Sequence, residues 1–347
     1  MLLLFRQPIM PKMAQRVNAL LIRVVVYDAI MATEIIVDPD VEGVWRVMND
    51  PPIAGPNVAV VGGTHGNEPC GIEAIRRLLS DAKLGRLGPI TGTLTLIHGN
   101  PEATRQDRRF TKGGRDLNRL LNYSFLYDLP RSNWTIEHHR ALALRPILES
   151  IDLAIDLHST ASPSPAFVIV PPMDESLTLA KKLGVPYLTV GWENPGLVND
   201  QVLIGFMLHN KKAALCVECG SHDDPHAKTV AYDSALAFLQ AAQLIEGEPP
   251  ASDVTMALIR ITDVLTKPSP EFRFLEDLKG MDRLVAGQAL GEDNNLEFRM
   301  KKDCFALMPN DRVPVGVDML YLGVAEEFDF PALKAMRNGE TALTEAD

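Results

Sequence analysis

Cysteine is scarce in this chain. Only Cys70, Cys216, Cys219 and Cys304 occur among 347 residues, too few and too scattered for a disulfide framework. They fit a reducing compartment, and the cytoplasm is the expected location. Cys216 and Cys219 form a C-x-x-C, which invites a redox or zinc-ribbon reading. They lie, however, in Ala213-Ala214-Leu215-Cys216-Val217-Glu218-Cys219, which reads as a buried strand. Strand residues three apart point to opposite faces, so both are read as small core residues.

A basic excess is also missing. Lys and Arg total 34 against 45 Asp and Glu, a net charge of −11. A general nucleic-acid binder carries the opposite balance, so that class is set aside. Long apolar runs are absent too. Met1 to Phe5 is apolar, but Arg6, Lys12 and Arg16 break up the residues after it. No stretch reaches the ~18 residues a membrane helix needs, no signal-peptide pattern is present, and no membrane partner is expected. Residues 1–31 read as an extension outside the core fold, with Met10, Met13 and Met31 as alternative starts. Internal repeats and low-complexity tracts are lacking as well.

What remains is an ordinary globular composition, 46% apolar and 23% charged. The length suits two domains or one large domain with an appendage. Short apolar runs at Val58–Val61, Thr93–His98, Leu153–His158, Ala166–Val170, Pro186–Val190 and Ala213–Glu218 read as strands. Helical patterns run from Glu68 as far as Lys83 and recur over 135–149, 175–183, 200–210 and Tyr232–Leu244. Strands alternating with helices give an α/β domain with a mixed sheet over residues 32–246. Glu246 to Ser252 reads as a linker. Beyond it, short strand candidates at Val254–Leu265, Glu271–Phe274, Leu284–Ala289, Leu296–Met300, Cys304–Met308 and Val313–Leu322 make a smaller β-rich domain over 253–330. Residues 331–347 are charged and read as a frayed end.

The chemistry gathers at strand ends. Gly62-Gly63-Thr64-His65-Gly66-Asn67-Glu68 comes after the first all-apolar strand and opens a helix. His65 and Glu68, three apart on one turn, can face one point. His158 ends a second strand. In an open α/β sheet ligands bind outside the carboxyl ends of the strands, so these residues have a physical reason to meet. A His₂Glu set that leaves a fourth position for water is the pattern of a catalytic zinc. Asp156, two before His158, is either a carboxylate orienting an imidazole or a plain polar residue at a sheet end. Glu218 is costly to bury unless paired or functional. It is either a proton acceptor beside the metal or the partner of an Arg or Lys. The Arg-rich stretch from Arg105 to Arg119 is a solvated loop or a set of forks for carboxylates and a developing oxyanion. A phosphate loop at Gly62–Gly66 is rejected, because no Lys-Ser or Lys-Thr comes after it.

Gly63-Thr64-His65-Gly66-Asn67-Glu68, Asn100-Pro101, Arg109-Phe110 with Asp116-Leu117-Asn118-Arg119, Asp156-Leu157-His158 and Val217-Glu218-Cys219-Gly220 occur in one order over residues 55–245. In this the chain resembles the aspartoacylase and succinylglutamate desuccinylase family, allied to the zinc carboxypeptidases. The resemblance implies one Zn²⁺ per chain on His65, Glu68 and His158, with Glu218 as general base. It also implies Arg109 at the scissile carbonyl, and Asn118 and Arg119 on the substrate carboxylate. A carboxypeptidase-like mixed sheet flanked by helices, with a smaller C-terminal β-rich domain, is implied by the same likeness. The family's C-terminal tyrosine would correspond to Tyr321, and His222 would either line the pocket or cap a turn. Two departures stand out. The stretch between Arg109 and Asp116 is longer than in aspartoacylases, and Leu208 and His209 occupy the region where those enzymes carry a further carboxylate-binding Arg. Specificity for N-acetylaspartate is therefore in doubt.

The expected function is a zinc-dependent amidohydrolase acting on a small N-acylated amino acid or related acyl-amine. Two alternatives use the same residues: a carboxypeptidase acting on peptides or cell-wall fragments, and a metal- or ligand-binding protein without turnover. The expected partner is the small substrate alone, with a homodimer the assembly to look for.

Overall fold

The computed structural model describes residues 32–121, 130–193, 202–249 and 256–326. The N-terminal stretch 1–31, part of the linker expected at 246–252 and the charged end at 331–347 lie outside them.

A mixed sheet of 12 strands organises the chain. Within it β3 (Ile53–Gly62) is flanked by β4 (Thr91–His98) and β5 (Leu153–Thr160), both parallel to it. On one side β2 (Val44–Asp50) and β1 (Ala32–Val37) extend it antiparallel. On the other, β8 (Ala213–Ser221) lies parallel to β5, with β6 (Phe167–Ile169) and β7 (Tyr187–Val190) beyond it. Val58–Val61 forms a strand because both of its faces find apolar cover. Val58 and Val60 pack with Ile75 and Leu78, Ala59 and Val61 with Leu144, Ile147 and Leu148. Each such fully buried side chain contributes roughly 1.5–3 kcal/mol. Helix α1 (Pro69–Lys83) turns Ile72, Ile75 and Leu78 onto the first face, starts with Pro at its first position and ends where Gly85 takes φ 68°. It lies beside the helix Ala227–Ala241, while Ile136–Glu149 and Leu203–His209 cover the opposite face.

The C-terminal β-rich part continues the same sheet. β9 (Ala257–Thr266) pairs parallel with β7, and β15 (Asp318–Glu326), β14 (Cys304–Leu307) and β11 (Arg283–Leu284) are added antiparallel. β10 (Arg273–Phe274), β12 (Ala289–Asp293) and β13 (Leu296–Arg299) form a separate small sheet, with Phe272, Leu284 and Leu320 in a third apolar cluster. Among the described residues no helix is long and apolar enough to cross a membrane.

Several local expectations are corrected. Gly55 and Pro56, residue types that commonly punctuate turns, fall inside β3, where the pairing with β4 is irregular between Ile53 and Asn57. The helix expected from Tyr232 begins at Ala227. Leu284–Ala289 is not one strand: β11 stops at Leu284, a turn passes through Gly287, and β12 begins at Ala289. Val313–Leu322 divides likewise, with Pro314–Gly316 in a turn before β15. The helix expected at 200–210 is described from Leu203 to His209; residues 200–201 lie outside the described set. Cys216 and Cys219 do face opposite sides of β8, each in a different apolar cluster, and all four cysteines are free and buried.

Candidate active site

The site is assembled where β3, β5 and β8 end. Gly62 closes β3 against α1 so tightly that a Cβ there would stand 2.4 Å from the Gly71 carbonyl carbon. Gly63 then takes φ 66°, a left-handed turn that glycine adopts without strain. Gly66 leaves no room either, since its Cβ would meet Ala103 at 2.1 Å. Pinned at these points, the loop carries His65 and Glu68 back over the sheet. His158 and Glu218 are register partners on β5 and β8, as Phe167 of β6 is with Glu218 on its other side.

His65, Glu68 and His158 converge. One ligand atom from each lies within 4.8 Å of the others, and all three residues are buried. His65 Nδ1 donates to Glu68 Oε1 at 2.7 Å, and His158 Nδ1 to Glu68 Oε2 at 2.9 Å. The far nitrogens are held by other carboxylates. His65 Nε2 donates to Asp116 Oδ1 at 3.0 Å, and His158 Nε2 to Asp156 Oδ2 at 2.9 Å. Thr64 Oγ1 donates to Asp156 Oδ1, and the Ser159 amide to Glu68 Oε2. Burial opposes charge on either imidazole. At His65 the carboxylates of Glu68 and Asp116 outweigh it, and at His158 those of Asp156 and Glu68 do, so both rings hold their protons more tightly than usual. Burial likewise opposes ionisation of Glu68, but the two imidazoles hold its carboxyl well below the ordinary range.

This donor set fits a divalent metal. A ring whose Nε2–H is fixed on a carboxylate would present its Nδ1 lone pair once that nitrogen gives up its proton, and fixing of that kind is what orients a metal-ligating histidine. Protons on the two Nδ1 atoms facing Glu68 supply the kind of positive charge that a cation would bring. The two rings meet edge to face with centroids 4.9 Å apart.

Glu218 differs from Glu68. It is 7% exposed and its Oε2 is buried with no hydrogen-bond partner among the described residues. Burial pushes its carboxyl up to about 7, the charge of Glu68 adds to the effect, and His158, His65 and Arg109 oppose it. One oxygen of this carboxylate is thus neither paired among the described residues nor left in water.

Arg109 lies beside the pair. Its Nε and one terminal nitrogen both donate to Asp116 Oδ2, at 3.1 and 2.8 Å, while the other terminal nitrogen stands 3.8 Å from Glu68 Oε1. Asn118 and Arg119 come next in a 3₁₀ turn, Leu117–Arg119, which Asp116 caps through the Asn118 amide. Asn118 Oδ1 accepts from the Leu203 amide at 3.2 Å, at the start of the helix Leu203–His209. Arg119 donates to the Asn118 carbonyl. His222 shares a 2.8 Å hydrogen bond with Ser159 Oγ, adjacent to the His158 end of β5, and burial lowers its pKa. Tyr321 donates to Asp318 Oδ2 at 2.9 Å, packs on Trp192 at 5.0 Å, and lies within electrostatic reach of Arg119 and Arg109. Leu208 and His209 help line an apolar cavity of ≈ 280 Å³ with Pro172, Trp192 and Ile204; none of the metal-set residues lines it.

Sequence reasoning missed the double use of Asp116. One oxygen faces His65 and the other Arg109, so a single side chain orients both. The signal was present, because an Asp before a short turn reads as a cap, but a cap reading does not reveal what its second oxygen touches. Asn100-Pro101 also has a local cause. Asn100 Oδ1 caps the helix Pro101–Arg105 through the Ala103 amide at 3.1 Å, with Pro in the first turn.

The family model of the succinylglutamate desuccinylase/aspartoacylase catalytic domain matches residues 54–242. The succinylglutamate desuccinylase of Yersinia pestis (strain Pestoides F) is 25% identical over 276 residues, 75% of this chain and 82% of that enzyme. The rat N-acyl-aromatic-L-amino acid amidohydrolase (carboxylate-forming) is 35% identical over 118 residues, 32% of this chain and 36% of that enzyme. In three dimensions the crystal structure of succinylglutamate desuccinylase from Vibrio cholerae has the same fold, with a TM-score of 0.67 at 17% identity, covering 86% of this chain and 90% of that one.

Proposed function

Because this chain belongs to the succinylglutamate desuccinylase/aspartoacylase family, we propose that it is a metal-dependent hydrolase that removes the acyl group from an N-acylated amino acid. The Yersinia and rat relatives, by name a desuccinylase and an amidohydrolase of N-acyl amino acids, support the substrate class. Zinc is the ion that best suits an imidazole–carboxylate–imidazole set. Held by His65, Glu68 and His158, it would lower the pKa of a water to about 7 and polarise the amide carbonyl.

The chain's own residues supply the rest. Glu218 takes a proton from the attacking water at its unpaired Oε2. The water oxygen adds to the amide carbon, and the guanidinium of Arg109 faces the oxygen on which charge develops. Glu218 then returns the proton to the nitrogen, the C–N bond breaks, and a carboxylic acid and a free amine leave. Arg119 and Asn118 are the groups we assign to the substrate's carboxylate, with Tyr321 and His222 at the rim. The observation that carries this reading is Glu218. A buried, unpaired carboxylate titrating near 7 beside a His–Glu–His set matches a general base whose pKa lies near the working pH.

The test is release of free amine from a panel of N-succinyl, N-acetyl and N-aroyl amino acids by the zinc-loaded protein. Chelator-sensitive turnover of at least one member is expected. Hydrolysis of unacylated dipeptides with no turnover of the panel would overturn the proposal in favour of a carboxypeptidase.

A further inference from the structure

The stretch between Arg109 and Asp116 carries a guanidinium at one end and the carboxylate that holds His65 Nε2 at the other. Its middle is a turn, with the Gly114 amide donating to the Thr111 carbonyl at 2.8 Å and Gly113 at φ 75°. Glycine twice in a turn makes for a flexible connection. The Lys112 amide is tied to Gln106 Oε1 at 2.9 Å, and the two ends of the turn are held by a contact from another element.

Glu137 fixes it from below. It is fully buried in the first turn of the helix Ile136–Glu149. Its Oε1 accepts from the Thr111 amide at 2.8 Å and from Asn100 Nδ2 at 3.4 Å. Its Oε2 accepts from the Arg115 amide at 3.1 Å and from Thr135 Oγ1 at 3.0 Å. The two amides are the residues on either side of the turn, so one carboxylate clamps both of its ends. Asn100 in turn donates its amide to the Gly63 carbonyl at 2.8 Å, which ties the same carboxylate to the loop that carries His65. The glycine at 114 is required by the contact, since a Cβ there would stand 2.3 Å from Glu137 Oε2. Among the described residues the donors to this buried carboxylate are amides and hydroxyls rather than cations, so it holds neighbouring segments in place instead of balancing a charge.

We propose that Glu137 is a positioning residue, whose carboxylate clamps the Thr111–Arg115 turn and so sets the aim of Arg109 and Asp116 at the metal-binding group. This rests on the role given to Arg109 in the proposed function, but the clamp itself can be read without any substrate. Glu137→Gln keeps the shape and replaces one acceptor oxygen with an NH₂ that faces an N–H, so one end of the turn is released. Gly114→Ala attacks the same contact from the loop side and leaves Glu137 intact.

Both variants are loaded with zinc and compared with wild type. In each, hydrogen exchange at the Thr111 amide, the Arg115 amide or both rises by about ten-fold or more, while β3, β5 and β8 keep their protection. In each, kcat falls by up to about 10²-fold with zinc content retained and KM little changed, as misplacement of a group acting on the transition state requires. In an Arg109→Ala background, Glu137→Gln costs several-fold less than it does in wild type, because one of the two groups it would misplace is gone. Unchanged exchange at the two amides in both variants overturns the clamp. An equal cost of Glu137→Gln with and without Arg109 overturns the action through Arg109. A wild-type protein that turns over no N-acyl amino acid refutes the functional reading alone, and the exchange pattern then decides the clamp.

Discussion

His158 and Glu218 sit directly opposite each other on adjacent parallel strands. Their side chains leave the same face of the sheet, one toward Glu68 and Asp156, the other with an oxygen that meets no donor among the described residues. In the proposed function this one rung carries both a metal ligand and a proton acceptor, and the two duties should separate on substitution. Glu218→Gln is expected to keep one zinc per chain and to lose about 10²–10⁴-fold in turnover. Metal analysis beside steady-state kinetics checks this, and turnover within a few-fold of wild type would remove Glu218 from the role of base.

Asp116 should show the opposite signature from Glu218. Asp116→Asn can still accept from one partner but not hold both His65 Nε2 and Arg109 as an anion. Loss of a carboxylate that orients a metal-ligating histidine costs about 10–100-fold in metal affinity or activity. Zinc competition against a chromophoric chelator measures the first, and Glu68→Ala, which deletes a ligand outright, is expected to bind far more weakly still. Equal zinc affinity in Asp116→Asn and wild type would disconnect Asp116 from His65.

The pH dependence of turnover has a definite sign. Burial raises the Glu218 carboxyl to about 7, and a cation beside it would pull the value down. The base works deprotonated, so kcat/KM is expected to fall as the pH drops, with its acid limb at or below about 7. A profile of kcat/KM from acid to neutral pH decides; activity that climbs on acidification would contradict a carboxylate base.

Stability has an independent acid limb at His98. Burial, with Arg140 and Arg76 adding, pushes this imidazole from 6.5 down to about 4, and its Nε2 lies 2.8 Å from Thr104 Oγ1. The unfolded chain takes up the proton at the ordinary value and the folded chain resists it. Stability present above 6.5 is therefore lost progressively as the pH falls toward 4. His98→Gln is expected to flatten that part of the dependence in urea titrations at a series of pH values, and an unaltered slope would refute the assignment.

Gly66→Ala tests how tightly the ligand loop is pinned. Its new methyl would stand 2.1 Å from the Ala103 carbonyl carbon. Overpacking of this kind costs about 1–3 kcal/mol, and here the strain falls between His65 and Glu68, two of the three proposed ligands. A lower denaturation midpoint together with weaker zinc binding is expected. Wild-type values in both would show that the loop can yield.

The sheet's central strands were legible in the sequence because burial on both faces forces short all-apolar runs, as at Val58–Val61 and Ala213–Val217. His65, Glu68, His158 and Glu218 were legible because strand ends in such a sheet share one edge. The C-terminal strands were read less well. They are short, pair antiparallel and interrupt their pattern with turns, so Leu284–Ala289 merged the end of one strand with the start of the next. That β9 would join β7 and continue the large sheet depends on pairing between segments far apart in sequence, which periodicity does not encode. Glu137 was invisible for a different reason. An acidic residue in the first turn of a helix is ordinary, and only the fold shows that it faces two amides of a distant turn.

The rung shared by His158 and Glu218 also limits how such a protein can diverge. A one-residue slip of a strand sends its side chains to the other face. Adding or deleting a residue in β5 or β8 would part the proposed ligand from the proposed base in a single step, whereas a change of length in the turn after Arg109 leaves that rung untouched. The loops above the sheet can therefore vary while the spacing of His158 and Glu218 stays fixed by the strand pairing itself.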